Sequence, residues 1–181
     1  MTDRKFRVKS LVLAALFTAA GVILPQAFHA IPNAGSIILP MHIPVLLCGM
    51  TAGGGYGAIA GVLTVVLSML LSGMPPLFPT GLCMALELAA YGLVSGAAYK
   101  VLRCRDNHRR VYPALILAML AGRLVNGAAM AICLGLSGEG YTLSAFLMAS
   151  FVTALPGIIL QLVLIPPVAL ALEKIHFTAN D

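Results

Sequence analysis

Apolar residues run almost unbroken through six stretches of this chain, near 8–28, 41–53, 56–72, 81–102, 112–135 and 144–173. Chain breakers fall between them: Pro32 and Pro40, then Gly53-Gly54-Gly55, then Pro75-Pro76 and Pro79, and last Ser137-Gly138-Glu139-Gly140. The gap between the fourth and fifth stretches is polar instead, with Arg103, Arg105, Asp106, Asn107, His108, Arg109 and Arg110. Apolar runs of about 20 residues cross a bilayer as helices, because a helix satisfies its own backbone hydrogen bonds in lipid. The pattern predicts an all-α integral membrane fold, a single domain over 1–181 forming a bundle of six transmembrane helices. The second is short for a full span. Gly53-Gly54-Gly55-Tyr56-Gly57 reads as a tight turn, and Ser72 through Pro79 as a stiff apolar loop.

Composition agrees with the pattern. Hydrophobic residues make up 60% of the 181 and charged residues 9%, far below the roughly 25% of soluble domains. Arg4, Lys5, Arg7 and Lys9 precede the first stretch as they would in a signal peptide. That stretch is too long for a signal core and ends in Pro25-Gln26 with no small-x-small cleavage site, so it reads as a retained first helix.

Charge sets the orientation. Basic residues cluster before helix 1, around the helix 4–5 loop (Lys100, Arg103, Arg105, Arg109, Arg110) and at Lys174 after helix 6. The first, third and fifth loops contain no Lys or Arg. With six spans all the basic segments share one side, which the positive-inside rule makes cytoplasmic together with both termini. The net charge of +5 follows from that topology and from contact with anionic lipid; it requires no nucleic acid. A multi-pass protein of the plasma membrane is expected.

Small residues recur every four positions at Gly53, Gly57 and Gly61, at Gly92 and Gly96, and at Ala15 and Ala19, with Ala14, Thr18 and Ala20 broadening the last face. Such spacing lets helix backbones approach closely. Cys48, Cys83 and Cys133 sit in apolar helical sequence as small hydrophobes, and with Cys104 they show no zinc-like spacing.

Polar residues at membrane depth are costly, so they need partners. Arg123 lies near the middle of helix 5, where an arginine costs about 2.5–3.5 kcal/mol on insertion scales. It should face the bundle interior. Asn126 is three residues on, hence on a similar face. Glu87 lies in the outer part of helix 4, and His42 opens helix 2. Two readings fit. Glu87 and Arg123 form an ion pair that fixes helix 4 against helix 5, or Arg123, Asn126, Glu87 and His42 line an outward-opening cavity for a polar solute. Both can hold. Gln161, inside helix 6, reads as a helix–helix hydrogen bond. Phe28, Met74, Leu77 and Phe78 are placed to close over a ligand, and Phe78 joins His42, Glu87, Arg123 and Asn126 as the fifth residue expected to bind it. There is no Gly-x-x-x-x-Gly-Lys-[Ser/Thr] loop, no Gly-x-Ser-x-Gly elbow and no metal-ligand cluster. The sequence predicts no enzyme, no cofactor and no metal.

Several segments together resemble a known family. They are Leu39-Pro40-Met41-His42-Ile43-Pro44-Val45-Leu46-Leu47-Cys48-Gly49, the Gly-rich turn at 53–57, and Ser72-Gly73-Met74-Pro75-Pro76-Leu77-Phe78-Pro79. Met84, Glu87-Leu88, Tyr91-Gly92-Leu93 and the Arg123-x-x-Asn126 pair complete the set. In these, over roughly 8–172, the chain is similar to the small substrate-binding subunits (S components) of energy-coupling factor (ECF) vitamin transporters. The resemblance implies capture of a small water-soluble vitamin or precursor from outside. It also implies a transmembrane coupling protein and two cytoplasmic ATPases as partners, and an alanine-rich helix 1 face, here Ala15 and Ala19, against the coupling protein. The substrate would lie near the outer side, under the loops joining helices 1–2, 3–4 and 5–6. The residues leave two other classes open, a stand-alone secondary transporter and a non-transporting membrane scaffold.

Overall fold

The computed structural model describes residues 2–27, 38–102, 107–136 and 142–174. The described residues are helical throughout, in the order α1 (Thr2–Ala27), α2 (His42–Ala52), α3 (Gly54–Ser72), a π-helical turn (Leu77–Gly81), α4 (Leu82–Val101), α5 (Asn107–Leu136), α6 (Leu143–Leu147), a second π-helical turn (Met148–Thr153) and α7 (Leu155–Lys174). Most of the first loop, with Phe28, His29 and Pro32, lies outside the described residues. So do Cys104 and the fifth-loop residues around Glu139.

Five helices are long and apolar enough to cross a membrane, rather than six: α1, α3, α4 with its leading turn, α5 and α7. Helix α2 is the exception. Its 11 residues extend about 16 Å, half of a ~30 Å hydrocarbon core. It is instead enclosed by protein: every residue but Ile43 is buried, against α1, α3 and α4. The long helices carry a lipid-type surface, with Leu11, Leu70, Leu124 and Val163 among many exposed large apolar side chains.

Several boundaries differ from the sequence expectation, each for a local reason. Helix α1 begins at Thr2 because the basic segment contains no breaker, and it runs through Pro25 in its last turn. The glycine turn shrinks to one residue. Gly53 takes φ 105°, a conformation open to glycine, while Gly54 and Gly55 already belong to α3. Helix α5 begins at Asn107 and so takes in part of the polar loop. The expected sixth helix is divided by the π-helical turn and Ala154. Pro156, lacking an N–H, fits the first turn of a new helix rather than the interior of a continuous one. The proline loop itself winds into the turn at Leu77–Gly81, where Phe78 alone has extended backbone, and its Met74–Pro75 and Phe78–Pro79 bonds are cis.

A glycine seam holds α2, α3 and α4 together. A Cβ added at Gly57 would lie 2.6 Å from the Gly49 Cα, and one at Gly61 would lie 2.6 Å from the Leu88 carbonyl. Gly92 would meet the Gly57 backbone, and Gly96 the backbones of Gly54 and Gly49. Backbone meets backbone here, so any side chain would have to push helices apart, at about 1–3 kcal/mol or more. Gly53, at the turn, takes no part in this contact. Ser95 spans the seam by donating to the carbonyls of Leu46 (3.3 Å) and Gly92 (3.1 Å).

The small residues of α1 do not share one face. Ala14 and Thr18 are buried, with Leu13 and Val22, and Thr18 donates to the Ala14 carbonyl at 2.7 Å. Ala15 and Ala19 are exposed on the outer side of the helix. The angular step of about 100° per residue between neighbours separates the two pairs.

Candidate functional site

Four of the five residues expected to bind solute meet in one buried cluster. Glu87, 3% exposed, stands at its centre on α4. Arg123 Nη1, from the middle of α5, lies 3.3 Å from Glu87 Oε1. His42 Nε2, at the start of α2, lies 3.7 Å from the same oxygen. The Asn126 amide donates to Glu87 Oε2. Three helices thus deliver one carboxylate, one guanidinium, one imidazole and one carboxamide to a point inside the bundle. The local reasons are simple. His42 begins α2 directly after the buried Leu39-Pro40-Met41 segment, and Arg123 and Asn126 are one helical turn apart.

The fifth expected residue is elsewhere. Phe78 is 53% exposed in the π-helical turn ahead of α4, and no ring contact joins it to the cluster among the described residues. Met74 and Leu77 are also more than half exposed. These side chains do not cover the cluster as expected of a closed lid.

Tyr91 belongs to the cluster and was not expected there. Its ring meets His42 edge-on, with centroids 5.0 Å apart and planes at 82°. A Cβ at Gly122, beside Arg123, would come within 2.7 Å of the Tyr91 ring. The available signal was its position, one turn after Glu87 on the same face.

Hydrogen bonding in the cluster is incomplete. Buried polar atoms are nearly always paired. Yet Arg123 Nε and Nη2, both His42 ring nitrogens, the Tyr91 hydroxyl and Glu87 Oε1 have no hydrogen-bond partner among the described residues, the approaches of Arg123 and His42 to Oε1 being ion-pair distances only. Gln161, wholly buried on α7, likewise pairs neither amide atom there, so the expected helix–helix hydrogen bond is not formed. Buried threonines behave differently, since Thr51 and Thr64 each donate at 2.7 Å to the carbonyl four residues back.

A groove elsewhere on the bundle is unlike the cluster. Of about 430 Å³, between the start of α5 and the end of α7, it is lined by Tyr112, Pro166, Pro167, Leu170, Ala171 and Lys174. It gathers no convergent polar groups, and Tyr112 precedes Arg123 by about 16 Å of helix. The polar chemistry is at the cluster. Among the described residues no group of three or more His, Cys, Asp and Glu side chains could hold a metal ion. Cys48, Cys83 and Cys133 are buried, with the Cys83 and Cys133 Sγ atoms 3.7 Å apart.

The family model described as ECF transporter, substrate-specific component, matches residues 9–169. No curated protein and no solved structure matches the chain.

Proposed function

Since the chain belongs to the family of ECF transporter substrate-specific components, we propose that it captures a small water-soluble vitamin or vitamin precursor from outside the cell, pantothenate first among them, for ATP-driven import by partner subunits. The observation that carries this reading is the buried cluster of His42, Glu87, Arg123 and Asn126. A charged group at bundle depth marks a solute path more often than it serves packing. Asn126 offers a donor and an acceptor for hydroxyl or amide groups. Phe78, with Met74 and Leu77, is assigned to the outer rim, where it can fold over an occupied site and exclude water.

The partners are a transmembrane coupling protein, met by Ala15 and Ala19, and two cytoplasmic ATPases. Their test is uptake of radiolabelled pantothenate and other vitamins. Cells making this chain with the three partner subunits should accumulate the cognate vitamin, and cells making the chain alone should not. Accumulation by the chain alone would identify a secondary transporter instead.

Both termini and the 103–110 loop are assigned to the cytoplasm of a plasma-membrane protein. We count α2, with the buried residues before it, as a short descent that turns at Gly53 into α3; with that count, six passes keep the basic segments on one side. A single cysteine placed at 107 should stay unlabelled by an impermeant maleimide added to intact cells. Efficient labelling there reverses the orientation.

A further inference from the structure

We propose that the Nε–Nη2 edge of Arg123 is the seat of a ligand carboxylate, so that the solute is a small organic acid accepted without release of Glu87. The proposal deepens the S-component reading and rests on it for the existence of a ligand.

A guanidinium presents several N–H groups in a plane. Among the described residues only Nη1 of Arg123 faces an anion, at 3.3 Å from Glu87 Oε1. Nε and Nη2 are buried and have no hydrogen-bond partner among the described residues. Glu87 has neighbours on both oxygens, although Oε1 accepts no hydrogen bond among the described residues. Oε1 faces Arg123 and His42, and Oε2 accepts from Asn126. The Tyr91 hydroxyl beside them is also unpartnered. Glu87 Oε1 also lacks a hydrogen bond there, but the unpaired donors of Arg123 Nε and Nη2, His42 and Tyr91 outnumber that one acceptor atom. Leaving charged donors unpaired inside a bundle is expensive, and a ligand acceptor removes the deficit.

The shape of the deficit names the acceptor. Nε–H and Nη2–H lie parallel on one edge of a rigid plane and match the two oxygens of a carboxylate. A neutral amide or hydroxyl supplies only one acceptor in that direction. A phosphate monoester brings up to two negative charges to a cluster whose one fixed cation already faces Glu87. A monocarboxylate fits both the geometry and the charge. Arg123 then bridges two carboxylates, one from the protein and one from the ligand.

The test compares acids with uncharged analogues on the purified chain in detergent. Pantothenate is set against pantothenol, nicotinate against nicotinamide and biotin against biotinamide, with riboflavin and thiamine in the same thermal-shift and calorimetric screen. One acid should stabilise the protein, and its uncharged analogue should bind at least ~100-fold more weakly, as when a site's buried donors lose their acceptor. Arg123→Lys keeps a cation for Glu87 and hence the fold, but has no planar fork. It should lose most of the discrimination between acid and analogue. Equal binding of acid and analogue, full discrimination in folded Arg123→Lys, or the absence of any acid among the binders would each overturn the proposal. Co-purification with the coupling protein and ATPases is measured on the same protein. A chain that joins them yet prefers riboflavin or thiamine fails this inference alone. A chain that binds an acid yet never joins them fails the transporter reading alone.

Discussion

Replacing Glu87 with leucine should destabilise the folded protein by about 3–5 kcal/mol, because the change strands a buried cation. Glu87 is the carboxylate that Arg123, His42 and Asn126 all address. Without it, Arg123, 7% exposed in the middle of α5, has no counter-ion among the described residues and cannot easily reach the headgroups. The double variant Glu87→Leu/Arg123→Leu should recover much of the loss, since a buried pair replaced by apolar residues of similar volume is often neutral. Denaturation of the wild type, both single variants and the double variant in one detergent gives the coupling energy directly. If Glu87→Leu unfolds within about 0.5 kcal/mol of the wild type, or if the two losses simply add, the pair does not hold α4 to α5.

The other large effect is expected at the surface of α1. Replacing Ala15 and Ala19 together with tryptophan should reduce vitamin uptake to background while leaving affinity for the vitamin within about twofold, as for sites with no shared partners. The two alanines are exposed, on the side of α1 away from its buried residues Leu13, Ala14, Thr18 and Val22. Two methyl side chains one turn apart let a second helix approach closely, and two indoles hold it off. Uptake with the partner subunits and binding to the purified chain separate the two effects. Transport that survives the double substitution would remove this face from the partner interface. Binding that fails as badly as uptake would show damage to the bundle instead.

The parts of this architecture that could be read from sequence are those governed by cost. Glu87 and Arg123 are opposite charges in neighbouring apolar helices, and an isolated charge at that depth has few remedies, so their meeting was foreseeable. The broad helix pattern was foreseeable for the same reason, because lipid-exposed backbone must be hydrogen-bonded within its own segment. What stayed hidden depended on phase and local geometry. Helix α1 is apolar around most of its circumference, so periodicity could not tell Ala14 from Ala15. Tyr91 in an apolar helix is indistinguishable from packing until His42 is placed beside it. The break before α7 turns on whether Pro156 sits in a helix interior or a first turn, which the sequence alone leaves open. Phe78 was grouped with the cluster through its loop, and the turn at Leu77–Gly81 leaves it exposed.

The glycine seam divides the site into a stationary half and an adjustable one. Side chains at a helix contact can change rotamer when neighbours move; facing glycines have no torsion beyond the backbone to change. At Gly49, Gly57, Gly92 and Gly96 the helices α2, α3 and α4 touch through main chain, so they shift together or not at all. His42 and Glu87 ride on that block. Arg123 and Asn126 ride on α5, which meets that block through side chains, among them the ring of Tyr91 over Gly122 and the Glu87–Arg123 pair. Any accommodation to solutes of different size falls to α5 and the helices beyond it, and the spacing between imidazole and carboxylate serves as the ruler against which they adjust.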